Sequence, residues 1–183
     1  MLRTKEAIHA GIHPRTLYAM RDDGVIEKLS RGLYRLADLP PLGNPDLVSV
    51  ARRVPGGVIC LISALAFHKL TTQVPHEIYL AVSRDSEPPR IDYPPVRVFR
   101  FSDKVFAQGI QTPKVDGVSL RIYSPEKTLA DCFKYRNKLG LDVALEALRL
   151  YLATRGRNVD LLMGFAQMCR VGKVVQSYLE ALL

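Results

Sequence analysis

Near the N-terminus, apolar residues recur at helical intervals in two short stretches. Thr4 is placed to cap a helix through Lys5-Glu6-Ala7-Ile8-His9-Ala10, and Gly11 supplies the flexible position that ends it. Pro14 suits the first turn of a second helix, because its missing N–H has no partner to lose there. That helix runs through Arg15-Thr16-Leu17-Tyr18-Ala19-Met20-Arg21-Asp22 and stops at Asp23-Gly24. At about 3.6 residues per turn, Leu17 and Met20 fall on one side, where Ile8 and Ile12 can meet them. Arg15, Tyr18, Ala19 and Asp22 fall on the other, with Thr16 and Arg21 on the flanks. Two short helices joined by a glycine-containing turn are the pattern of a helix-turn-helix.

The pattern then changes period. Val25-Ile26-Glu27-Lys28-Leu29 and Leu33-Tyr34-Arg35-Leu36 are strand-like runs around Ser30-Arg31-Gly32, which predicts a hairpin. A hairpin directly after a recognition helix is a wing, and its tip carries Arg31, with Lys28 and Arg35 close by. Base contacts in such motifs come from the first part of the second helix, so Arg15 and Thr16 are the candidates for reading the major groove. Tyr18, Arg21, Lys28, Arg31 and Arg35 are the candidates for sugar-phosphate contacts.

A proline- and glycine-rich stretch, Ala37 to Gly43, reads as a linker and divides a small unit, residues 1–38, from a larger one, residues 44–183. In the larger unit Asn44-Pro45-Asp46 opens a helix that ends near Arg53. Val58 to Phe67 mixes strand and helix character, with a buried helix from Ser63. Ile78–Val82 and Val96–Phe101 read as strands; strict alternation in the second puts Arg97 and Arg100 on different faces. The segments Glu87-Pro88-Pro89-Arg90 and Tyr93-Pro94-Pro95 make the intervening loop proline-rich. Asp116-Gly117 is a tight hairpin signal. From Ser124 onward the chain is helical, with starts at Ser124, Asp142, Asn158 and Val171. The last helix carries an apolar stripe, Val174, Val175, Tyr178, Leu179 and Leu182, that suits either a core or a partner surface. The fold class is therefore α+β, a small winged helix-turn-helix followed by a mixed α/β domain with a helical C-terminus.

Composition sharpens this picture. The 183 residues are 48% hydrophobic and 24% charged, a balance that buries a core and excludes a disordered chain. A net charge of +8 favours a polyanionic partner. The excess is densest in residues 1–36, with seven Lys/Arg against four Asp/Glu. Cys60, Cys132 and Cys169 are too scattered for a disulfide framework or a metal motif and read as buried thiols in a reducing cytosol. Neither a secretory leader nor a bilayer-length apolar run is present, so a cytoplasmic protein with no membrane partner is expected.

Catalytic signatures are absent: there is no phosphate-binding Gly-rich loop, no Gly-x-Ser-x-Gly elbow and no His-Glu-x-x-His. His9, His13, His68 and His76 lie in different elements. Glu146 and Arg149 have the spacing of an intrahelical ion pair, extended by Asp142 into a polar stripe. No catalytic residue, metal ligand or cofactor is expected.

Several blocks resemble AbiEi-family antitoxins. The run from Ala10-Gly11-Ile12-His13 to Leu33-Tyr34-Arg35-Leu36, with its Arg-Gly-x-Tyr wing, is similar to that family's winged helix. Ile62 to Thr71 with Gln73-Val74-Pro75-His76, and Tyr123-Ser124-Pro125-Glu126-Lys127-Thr128-Leu129-Ala130-Asp131 through Leu148, are similar to its later segments. The resemblance implies a type IV toxin–antitoxin antitoxin, of the kind that serves in phage defence. It would bind operator DNA, repress its own operon and counteract a nucleotidyltransferase-like toxin. Family winged helices usually have a further helix before the one starting at Thr4, and this chain begins too late to contain it. Thin cover over Leu17 and Met20, and weakened DNA binding, are therefore expected. Two other roles stay open at this stage: a protein-interaction antitoxin with a vestigial N-terminal unit, and an enzymatic antitoxin, a serine protein kinase that phosphorylates its toxin, as the resemblance permits.

Overall fold

A computed structural model describes residues 1–182. The chain starts with a two-residue strand, β1 (Leu2–Arg3), followed by α1 (Thr4–His9), α2 (Pro14–Asp22) and the hairpin β2 (Ile26–Ser30) and β3 (Leu33–Leu36). The three strands form one antiparallel sheet in the order β1-β3-β2. This is the expected helix-turn-helix and wing, closed by a strand too short to show a period in the sequence. Thr4 is the first helical residue of α1 rather than its cap: Arg3 takes the cap position, and its backbone N–H donates to the Glu6 carboxylate at 2.8 Å.

A separate apolar cluster holds this unit together. Ala7, Leu17, Ile26 and Tyr34 are its buried members, with Leu2, Ile12 and Met20 packed around them. Leu17 is only 1% exposed. The expected gap above the Leu17/Met20 face is closed by the sheet and by Leu2 of β1. Ile8, expected inside, points out and is 50% exposed; the small Ala7 takes the inner position on α1.

The remaining elements are α3 (Pro45–Arg53), β4 (Val58–Ile59), α4 (Leu61–Phe67), β5 (Ile78–Ser83), β6 (Val96–Phe101), α5 (Asp103–Phe106), β7 (Ile110–Gln111), β8 (Lys114–Val115), β9 (Val118–Ser119), β10 (Ile122–Tyr123), α6 (Pro125–Lys134), α7 (Arg136–Leu139), α8 (Leu141–Leu152), α9 (Val159–Met168) and α10 (Gly172–Leu182). A five-stranded mixed sheet runs in the order β6-β5-β4-β10-β7. Both of its faces are covered, which is why β5 is apolar at every position from Ile78 to Val82. Ile78, Leu80 and Val82 pack toward Leu47 and Val50 of α3, while Tyr79 and Ala81 pack into the larger core built by α4, α6, α8, α9 and α10. The α10 stripe joins that core: Val175 and Leu179 are buried and Val174, Tyr178 and Leu182 pack against it. The architecture is α+β.

The stretch between the two sheets is fastened. The Arg35 guanidinium donates to the carbonyls of Leu39 at 2.9 Å and Pro40 at 2.8 Å. The Asp116 carboxylate, at the tip of the β8–β9 hairpin, accepts from the backbone N–H groups of Gly43 and Asn44. Asp116 (φ 49°) and Gly117 (φ 76°) both take the left-handed conformation that a two-residue hairpin turn needs.

Candidate nucleic-acid interface

The α2 helix is positioned by its ends and its inner face. His13 caps it, its Nδ1 accepting from the Arg15 N–H at 3.2 Å, and Pro14 follows in the first turn. The His13 cap was not read from the sequence; its position directly before Pro14 was the available signal. Gly24, at φ 74°, ends the helix in the left-handed conformation that a Cβ disfavours. With Leu17 inside and Met20 half-buried, the helix turns Arg15, Thr16, Tyr18, Ala19, Arg21 and Asp22 to solvent.

Those outward residues are not equivalent. Arg15 and Thr16 form no ion pair or side-chain hydrogen bond with any described residue. Arg21 is engaged locally: its Nη2 lies 2.6 Å from the Asp22 carboxylate, and its guanidinium carbon sits 5.5 Å from the centre of the Tyr18 ring. Asp22 thus offsets part of the positive charge at this end of the helix. Tyr18 is 47% exposed, with the Arg21 guanidinium over its ring.

On the hairpin, Lys28 is exposed and Arg31 occupies the turn. Gly32 takes φ 73° and closes that turn so tightly that an added Cβ would lie 3.3 Å from the Thr4 hydroxyl. Arg31 approaches Asp92 of the proline-rich loop at 3.5 Å, with side chains 82% and 70% exposed. A pair so open to water and salt is weak and readily exchanged.

Arg35 departs from the sequence expectation. In the ladder it lies opposite Glu27, and the two form an ion pair on the face turned to the 39–40 carbonyls. Its side chain is 6% exposed. A guanidinium committed to a carboxylate and two backbone carbonyls cannot reach a phosphate, so Arg35 is a structural residue that ties the wing to the following segment.

Other cations, scattered in the sequence, gather beside the wing. A groove of about 850 Å³ between the hairpin turn and the body is lined by Arg3, Lys5, Arg31, Arg53 and Arg90, with Glu87 as the carboxylate among its lining residues. Arg52 holds this arrangement by pairing with Glu6 at 2.8 Å. The Arg3 N–H and the neighbouring cations keep the Glu6 carboxyl below its ordinary range, so it stays charged. Arg3 and Lys5 fall within the dense N-terminal charge, whereas Arg53 and Arg90 join only through the fold.

The polar groups of the body are occupied in holding it together. His68 Nε2 lies 2.7 Å from the Tyr123 carbonyl, and burial pushes its pKa down, so the ring is neutral at pH 7. His76 is exposed. Glu146 forms no ion pair with Arg149, contrary to the helical-spacing expectation. It accepts instead from the Thr71 and Thr72 hydroxyls at 2.9 and 2.6 Å, stitching α8 to the loop before β5. Inside α6, Lys127 and Asp131 form an ion pair at 2.5 Å with both side chains fully buried. The Lys127 ammonium sits 4.3 Å from the Tyr123 ring centre, and the Cys169 thiol donates to Asp131 at 3.3 Å. Sequence reading did not single out this pair, because i,i+4 Lys–Asp spacing ordinarily marks a solvated face. All three cysteines are free and buried, and burial pushes their thiols up, which keeps them protonated. Among the described residues, no cluster of His, Cys, Asp or Glu is arranged to hold a metal ion, and no helix is long and apolar enough to cross a membrane.

Comparison with known proteins agrees with the reading of the N-terminal unit. Residues 1–37 match the family described as "Transcriptional regulator, AbiEi antitoxin", which spans the three-stranded sheet and both of its helices. Likeness in fold extends over nearly the whole chain. The crystal structure of the RV2827C protein from Mycobacterium tuberculosis superimposes with a TM-score of 0.54 over 98% of this chain and 75% of that one, at 14% identity. A comparison with curated proteins gives no match.

Proposed function

We propose that this protein is a DNA-binding antitoxin that represses its own operon and counteracts a nucleotidyltransferase-like toxin in the cytoplasm. The observation that carries the reading is α2. It is an exposed helix held from beneath by Leu17 and Ile26, with Arg15 and Thr16 free on its outer face and the Lys28/Arg31 turn in the same small unit. The match of residues 1–37 to an AbiEi antitoxin regulator supports it.

The division of labour follows from chemistry. Arg15 offers a bidentate donor fork that fits the acceptor edge of guanine, and Thr16 a hydroxyl and a methyl beside it. Tyr18, Arg21, Lys28 and Arg31 supply phosphate contacts, and the groove of Arg3, Lys5, Arg53 and Arg90 extends the positive surface past the hairpin. On meeting phosphate, Arg31 exchanges Asp92 for a partner of higher charge density.

A gel shift on the protein's own promoter fragment tests this. Arg15→Ala is expected to weaken operator binding by about tenfold or more, the scale of one good base contact, and to relax sequence preference. Arg31→Ala is expected to weaken operator and random duplex alike. Unchanged operator binding by the Arg15→Ala/Arg31→Ala double variant would remove the assignment.

A further inference from the structure

Away from the N-terminal unit, the body contains a second concentration of positive charge, and it is concave. Arg84 follows β5, Lys104 lies in α5, Lys134 is the last residue of α6, and Arg170 stands in the turn between α9 and α10. Together they line a cavity of about 820 Å³ whose apolar portion includes Val105, Met168 and Val171. All four cations are exposed, and none forms an ion pair with a described residue. Outside the lining, Arg100 donates to the Arg84 carbonyl at 2.7 Å.

The backbone fixes where these charges stand. The Arg84 N–H donates to the Phe101 carbonyl at 2.8 Å, extending the β5–β6 register by one residue. Arg170 takes φ 61° between two hydrogen bonds that close the end of α9, Arg170 N–H to the Gln167 carbonyl and Val171 N–H to the Ala166 carbonyl. Three carboxylates lie near these cations, and one of them, Asp85 beside Arg84, is exposed and forms no ion pair with a described residue. Asp103 accepts from the Ser83 hydroxyl, and Asp131 is held by Lys127 on the inner side of Cys169. No carboxylate lines the cavity.

Several like charges gathered around one concavity repel one another, and a bound polyanion relieves that repulsion. The volume lies within the range of small-molecule sites, of order 300–1,000 Å³, whereas a duplex presents a convex backbone too wide to enter.

We propose that this cavity is a binding site for a small molecule carrying two or more linked phosphate groups. Arg84, Lys104, Lys134 and Arg170 hold the phosphates, and the Val105/Met168/Val171 surface accepts an attached apolar or planar group. The site is independent of DNA recognition, since it contains no residue of the N-terminal unit.

Isothermal titration of the full-length protein at near-physiological ionic strength, about 0.15 M, tests the proposal with inorganic tripolyphosphate and, separately, ATP. Saturable 1:1 binding of at least one is expected. The Arg84→Gln/Lys134→Gln variant is expected to weaken it by about tenfold, and the equally charged control Lys114→Gln/Arg155→Gln by no more than about twofold. Equal affinity for the two probes supports the proposal with the phosphate chain as the whole determinant. Tighter binding of ATP supports it with the nucleoside seated on the apolar surface. No saturation by either probe, an equal loss in the control variant, or binding of hexaglutamate alone would overturn it.

Discussion

Arg35 offers the sharpest separation between a structural cation and a DNA-contacting one. Replacing it with alanine removes the ion pair to Glu27 and leaves the Leu39 and Pro40 carbonyls without their donor. Hydrogen bonds from a charged donor contribute roughly 1.5–3 kcal/mol each. Glu27, however, is 46% exposed and recovers solvation when freed, so its share is discounted. Leu39 and Pro40 are exposed too, so water takes over part of the role of the lost donor at their carbonyls, and the net cost is about 2 kcal/mol, placed on the hairpin and the 37–43 segment. Amide hydrogen exchange across Ile26–Ser30 and Leu33–Leu36 is the assay, and that cost corresponds to roughly 30-fold faster exchange by local opening. In parallel, the dependence of DNA affinity on salt should keep its slope, since each lost phosphate contact lowers that slope by about 0.9. Unchanged exchange together with a slope reduced by one contact would refute the reasoning and return Arg35 to the DNA surface.

Further outcomes follow from the body of the protein. Lys127→Met or Asp131→Asn alone is expected to destabilise by roughly 3–5 kcal/mol, because each strands a buried polar partner. Lys127→Met combined with Asp131→Leu should recover much of that loss in urea unfolding; a double variant as unstable as the singles would contradict the pairing. His68 is held neutral by burial, so its folded-state pKa lies below its unfolded one. Its stabilising contribution is present above the ordinary histidine range and is lost as pH falls through the folded value. The unfolding midpoint is therefore expected to drop between about pH 7.5 and pH 5.5, and His68→Gln to flatten that drop. An unaltered profile would remove His68 as its cause.

Much of the architecture was legible because local signals agreed with the tertiary solution. Pro45 and Pro125 stand at helix starts, Asp116-Gly117 turns a hairpin, and the uninterrupted apolar run Ile78–Val82 is a strand covered on both faces. The two-residue strands β1, β7 and β10 were not legible, since pairing with distant strands and not local periodicity creates them. In the N-terminal unit, the outward set on α2 followed from helical geometry alone. Arg35 required the hairpin register: a bulge between Lys28 and Ser30 sets Glu27 directly across from it and decides its partner. Ile8 failed for a related reason, because the close packing of α1 on its neighbours admits Ala7 and leaves the larger side chain outside. The burial of the Lys127–Asp131 pair and both basic concavities depend on which elements fold together, which spacing along the chain does not encode.

In the proposed role, α2 enters the major groove of operator DNA. Titrating isotope-labelled full-length protein with a duplex from its own promoter, and following backbone amide and arginine side-chain NMR signals, tests it most directly. The largest shifts are expected at Arg15, Thr16 and Tyr18, with a second group at Lys28 and Arg31 and little change at Arg35. Saturable binding with those signals unmoved, and the shifts confined to residues 44–182, would contradict it.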